Sequence, residues 1–274
     1  MNRMRRLFLI LLAGWGCLFF SGCAGFQSFT EQAFLMSAQQ ETQLGKELAV
    51  QIEKEYKVYN GDPQATAYLQ ALGNRLVAAA PRVDQKYTFK LVDSPEVNAF
   101  AIPGGYCYVQ LGLLRAADNE AELASVVAHE IGHVVARHGA RALSRSKFYD
   151  MAGIMVLGES SGELTQMAAG IVKSGILLVP SREDELEADN LSIYTLPRAG
   201  INPEGLIWFF QKINNDKTSG SSYMAQFFSS HPLTSERIQI AQQQITALGK
   251  PLPNVADDST AFEKIKERYP TPGK

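Results

Sequence analysis

The pentapeptide His129-Glu130-Ile131-Gly132-His133 lies inside a stretch that reads as one long helix, and this placement constrains the chain more than any other feature. Four residues turn an α-helix by about 400°, so the two histidines share a face and can hold one metal ion. Glu130 falls on an adjoining face, within reach of a water on that metal. Zinc in such a site lowers the pKa of its water to about 7, and a glutamate can take the proton. The helix is predicted to start at an Asn119 cap, with Glu122 completing a capping box, and to run to about residue 145.

Two histidines leave a third protein ligand to be found. His138 lies nine residues after His129, about 180° around a continuous helix, so it is predicted to face away. Metzincins place a third histidine ten residues after the first and a glycine six after it. Here those positions hold Gly139 and Val135, and the pattern fails. An acid on another helix is the better source, and the run Ser181-Arg182-Glu183-Asp184-Glu185-Leu186-Glu187-Ala188-Asp189 supplies it. Glu185 and Asp189 share one face, Glu183 and Glu187 another. A solvated helix start, favoured by the helix dipole, accounts for Glu183, Asp184 and Glu187. Leu186 and Ala188 imply that the part carrying Glu185 and Asp189 is buried.

The rest of the chain reads as helices around one short sheet, an α+β, mainly helical fold. Residues 30–56 are helical in pattern, and Asp62-Pro63 caps and opens a second helix that Pro81 stops. Residues 87–92, 97–102 and 106–110 read as strands, the last two joined as a hairpin through Pro103-Gly104-Gly105. Phe100, Tyr106 and Tyr108 are read as core packing, and Cys107 as a small buried side chain. Residues 151–180 are apolar, glycine-spotted and helical in pattern, and no stretch reaches membrane-spanning length. Further helices are predicted over 182–196, ended by Pro197, then over 203–213, 234–248 and 260–269. A polar loop covers 214–222. Composition is ordinary for a globular chain, with 46% hydrophobic and 20% charged residues. A net charge of −2 argues against a whole-protein nucleic-acid binder, and three cysteines exclude a disulfide scaffold.

Residues 1–22 read as an address rather than as fold. Arg3, Arg5 and Arg6 precede an apolar run from Leu7, in the form of a bacterial secretory signal; an uncleaved anchor is the alternative. Phe20-Ser21-Gly22-Cys23 resembles the lipobox of bacterial lipoproteins, with Phe20 in place of the usual leucine and Cys23 as the lipidation site. Ala24, where an aspartate would retain the chain at the inner membrane, points by that analogy to a lipid anchor on the periplasmic face of the outer membrane. Removing 1–22 shifts the net charge to −5. The expected organisation is a signal peptide over 1–22, a zinc metallopeptidase domain over 23–250 and a tail over 251–274.

Four motifs in order now point to a family. They are Asn98-Ala99-Phe100-Ala101 before Gly104-Gly105, the pentapeptide at 129–133, Ser181-Arg182 with Glu185-x-x-Ala188-Asp189, and Ser230-His231-Pro232 with Glu236-Arg237. Together they resemble the HtpX-like, CAAX-prenyl-protease-type zinc endopeptidases, a gluzincin family, and within it the soluble periplasmic lipoproteins and BepA-like quality-control proteases. The resemblance implies a zincin-like domain with one Zn2+ on His129, His133 and Glu185. It implies Glu130 as the general base and Asp189 orienting a zinc histidine. It also implies an edge strand that pairs with substrate backbone through Asn98 and Ala99. His231 is implied near the zinc, as a fourth ligand that blocks water or as an oxyanion donor; a surface histidine opening a helix is the plainer alternative. The expected activity is cleavage of unfolded or mis-assembled envelope proteins, possible partners being the outer-membrane assembly machinery. A periplasmic assembly factor or chaperone that uses the groove with little proteolysis is the second reading.

Overall fold

The computed structural model describes residues 37–81, 85–145, 161–175, 180–219, 225–249, 252 and 254–271. The predicted signal segment, Cys23 and residues 30–36 lie outside them, as do 151–160 and 176–179 of the apolar stretch and 220–222 of the predicted loop. Two helices come first, α1 (Ala38–Glu55) and α2 (Pro63–Ala79). Ser37 caps α1 in a complete capping box, and Asp62 caps α2 ahead of its first-turn proline. Three strands follow, β1 (Thr88–Val92), β2 (Ala99–Ile102) and β3 (Tyr106–Gln110). β3 is central, parallel to β1 and antiparallel to β2, which leaves β2 at an edge of this sheet.

The chain then forms α3 (Leu111–Ala116), α4 (Glu120–Val135), α5 (His138–Arg145), α6 (Ser161–Ser174), α7 (Arg182–Arg198), α8 (Glu204–Ser219), α9 (Ala225–Ser230), α10 (Ser235–Ala247) and α11 (Thr260–Arg268). α4 is the axis of the molecule. Every residue from Glu120 to Val134 is buried. It packs on α7, α8, α2 and the sheet. A helix buried on all sides needs no amphipathic stripe, and its polar residues then have to be paired or functional.

Several boundaries differ from the sequence reading. The helix predicted to run to 145 breaks after Val135. Arg137 takes φ 57°, and its guanidinium pairs with the buried Glu41 carboxylate at 2.7 Å. A left-handed non-glycine residue costs about 1–2 kcal/mol, which a partly buried ion pair can offset. At the start of α4, Asn119 accepts from the Glu122 N–H at 2.9 Å, but no capping box closes. The Glu122 carboxylate turns to the Asp118 N–H and to Lys212 on α8. α7 continues through Pro197 to Arg198. α8 runs to Ser219, because no breaker follows Ile213 until Gly220, so 214–219 is helix rather than loop. Residues 254–271 pack into the main core through Phe262, Ile265 and Tyr269.

The sheet has two covered faces. Cys107 and Val109 join the main core beneath α4, whereas Phe100 stacks on Tyr108 (5.0 Å) and tilts against Tyr56 at the C-cap of α1 (5.3 Å). No helix among the described residues is long and apolar enough to cross a membrane.

Candidate metal centre

α4 and α7 build the centre, and Gly132 lets them. A Cβ at Gly132 would stand 3.0 Å from the Ala188 carbonyl oxygen and 3.2 Å from its Cα. Two small residues at this crossing bring the helices close. Glu185, one turn before Ala188, then reaches the two histidines of α4. His129 Nε2 and His133 Nε2 face each other at 3.0 Å. Glu185 Oε2 lies 3.5 Å from the first and Oε1 3.4 Å from the second. Ligands about 2.0–2.1 Å from a tetrahedral ion are about 3.3 Å apart, so these separations fit a zinc ion. His129, His133 and Glu185 are each at least 92% buried.

The electrostatics agree with a cation site. Burial alone would lower His129, but the Glu185 and Asp189 carboxylates overcome it and raise its pKa to about 10. Burial, with the charge of His129 beside it, pushes His133 down to about 3. Burial works against ionised Glu185, yet His129 and its other partners hold its carboxyl well below the usual range. Asp189 Oδ1 stands 2.9 Å from His129 Nδ1.

Glu130 is 2% exposed, and its Oε1 makes no hydrogen bond. Burial raises its pKa, partly offset by the charges of His231 and His129. The Ala101 N–H of β2 faces the same carboxyl. This orientation follows from register: the Asn98 carbonyl accepts from the Gln110 N–H on β3, so the polar groups of Ala99 and Ala101 point away from β3. Asn98 is 4% exposed, and its amide oxygen accepts from the Ala99 N–H (3.0 Å) and from Ser230 Oγ (3.2 Å). Asn98 thus ties the strand to the turn before His231.

His231 is 4% exposed rather than on the surface. It follows α9, its N–H donating to the Phe227 carbonyl at 2.8 Å and its ring 5.0 Å from that of Phe227. Its Nδ1 lies 3.0 Å from Glu185 Oε1 and its Nε2 3.4 Å from Glu130 Oε1. His129, Glu130, His133 and His231 each place a potential ligand atom within 4.8 Å of the others.

Three residues hold positions that sequence reasoning did not give them. Arg237 is 2% exposed; its Nε and Nη2 each donate to Asp189 at 2.8 Å, and Nη1 approaches Glu185 at 2.6 Å and the Pro232 carbonyl at 3.0 Å. Its local signal is spacing: Arg237 stands four residues before Ala241 and eight before Ile245, on the buried face of α10. Asp184 is buried and completes the α7 capping box with Ser181, rather than lying in solvent. His138 does not face away. The break at Arg137 returns its ring to His133, with the two Nδ1 atoms 2.7 Å apart. Glu187 is exposed, as expected.

Residues 63–245 match the family model described as Peptidase family M48. The beta-barrel assembly-enhancing protease of Escherichia coli (strain K12) is 32% identical over 250 residues, covering 87% of this chain and 50% of that protein. The protein of that name from Yersinia pestis is 34% identical over 214 residues, covering 75% and 44%. The mitochondrial metalloendopeptidase OMA1 of Schizosaccharomyces pombe is 27% identical over 242 residues, covering 87% and 71%. The chain spans about half the length of the bacterial relatives named here.

Proposed function

The chain belongs to peptidase family M48, and from that premise we propose that it is a zinc endopeptidase of the bacterial envelope acting on unfolded or mis-assembled proteins. One observation carries this reading: two facing imidazoles with the Glu185 carboxylate beside both, next to a buried glutamate whose oxygen is free to accept. His129, His133 and Glu185 would hold the zinc, which supplies Lewis acidity and an acidified water. Glu130 takes the proton in the attack step and returns it to the leaving amine. Asp189 keeps His129 in the tautomer that frees Nε2 for the metal. An extended substrate adds to the edge of β2 through Ala99 and Ala101, with Asn98 holding that edge in place. This pairing recognises backbone, which suits unfolded chains of varied sequence. Beside the strand, a groove of about 660 Å³ between α1, β2 and α6 has Ile52, Phe100 and Ile102 in its wall for apolar side chains.

His231 would act as a latch, lying against both Glu130 and Glu185 and holding the site closed until the turn moves. The proposed location is the periplasmic face of the outer membrane, through lipid on Cys23. The bacterial relatives' name motivates an extension to outer-membrane barrel assembly, with the assembly machinery as partner. That name also favours the second reading, an assembly factor whose groove matters more than cleavage. Casein cleavage tests the choice. The wild type should cleave unfolded casein and stop when a chelator is added. Glu130→Gln should keep its zinc and lose about 100-fold or more in turnover. Cleavage that survives the chelator, or a Glu130→Gln rate equal to wild type, would overturn the proposal.

A further inference from the structure

His133 and His138 meet through their Nδ1 atoms at 2.7 Å, and both rings are buried. Two neutral imidazoles in this arrangement admit one donor and one acceptor, so the proton on one ring fixes the tautomer of the other. His133 presents Nε2 to His129 and Glu185, on the side where the metal fits. A ligating Nε2 carries no proton, which places the proton of His133 on Nδ1. That N–H then donates to His138 Nδ1. His138 must hold its own proton on Nε2, which stands 3.1 Å from Glu187 Oε2 and 3.4 Å from Asp184 Oδ1. Arg141 binds both acids, at 2.7 Å to Glu187 and 3.1 Å to Asp184. The guanidinium already occupies the cation position between these carboxylates, so His138, Asp184 and Glu187 do not form a second metal site.

We propose that His138 is the positioning residue for the ligand His133, acting through a chain His133–His138–Glu187 that holds His133 in its metal-binding tautomer and orientation. Asp189 serves His129 directly, while His133 reaches its carboxylate through a second imidazole. The break at Arg137 makes the chain possible, because a continuous helix would carry His138 to the far side. The inference rests on His133 being a zinc ligand.

Zinc affinity, measured on the full chain by competition with a chelating dye, tests it. His138→Phe keeps a ring in the space and removes both hydrogen bonds; it should weaken zinc binding about 10–100-fold. His138→Asn, whose Oδ1 can accept where Nδ1 did, should restore most of that loss. The cobalt-substituted protein should show altered d–d bands in His138→Phe and near-wild-type bands in His138→Asn. Wild-type affinity in His138→Phe, or an equal loss in both variants, would overturn the proposal. Should His138→Phe fail to fold, Glu187→Ala alters an exposed residue and should still weaken zinc binding; unchanged affinity there would overturn it as well. Full zinc retention in His133→Ala would instead break the underlying ligand assignment.

Discussion

Arg237 shows how much of this site one side chain can hold. A guanidinium at 2% exposure is costly to bury unless its charge and donors are met, and here Asp189, Glu185 and the Pro232 carbonyl meet them. It thereby fixes the proposed metal ligand Glu185, the Asp189 carboxylate beside His129, and the residue after His231. Spacing put His129 with His133, and Glu185 with Asp189, on shared faces that meet between α4 and α7. It could not place Arg237 against Asp189, since 48 residues separate the pair in sequence. His231 carries the prediction at this scale. His231→Ala should keep zinc, because three ligands remain, and should raise casein cleavage if the ring is a latch. Reduced cleavage would mark it as a transition-state donor instead. Equal rates across a range of pH would reject both roles.

At the scale of elements, close backbone approaches decide what spacing cannot. Gly132 permits the α4–α7 crossing, and Gly45 does the same where α1 passes over the hairpin turn. A Cβ at Gly45 would stand 2.2 Å from the Pro103 carbonyl oxygen, a backbone atom with no rotamer to yield. Gly45→Ala gains about 1 kcal/mol in helix propensity. The clash must push α1 from the turn, and overpacking typically costs about 1–3 kcal/mol, so the clash should win. Gly45→Ala should therefore lower the urea midpoint, and since the turn anchors β2, it should raise KM for peptide substrates. A midpoint at or above wild type would show that the contact relaxes freely. The same reasoning explains the missed break at Arg137: local pattern favoured a continuous helix, and the partner that stabilises the break, Glu41, lies 96 residues earlier.

At the scale of the whole molecule, α4 is the member that the other layers share, and the metal centre joins it to α7 on its most extensively packed side. An ion bound there stabilises the native state alone, by about 4 kcal/mol when free zinc is a thousandfold above Kd. Chelation should therefore lower the melting temperature of the full chain, and restored zinc should raise it. Glu185→Ala should lose most of this difference, because the α7 ligand is gone. Equal melting with and without chelator would show that the site contributes no clamp. Residues 254–271 belong to the same core: Tyr269 reaches Asp62 at 3.1 Å, and Phe262 is fully buried.

The chain by itself determined which residues can share a metal and most of the elements. Periodicity placed His129 with His133 and Glu185 with Asp189, caps and breakers marked α2 and the hairpin, and alternation marked β1, because these signals are local. Family order added the joining of the four motifs. Only the tertiary structure decided which charges are paired across α4, α7 and α10, where the helix breaks, and that His138 turns toward His133. Those outcomes depend on groups distant in sequence that become neighbours only when the core closes, where burial makes an unpaired charge too costly to leave.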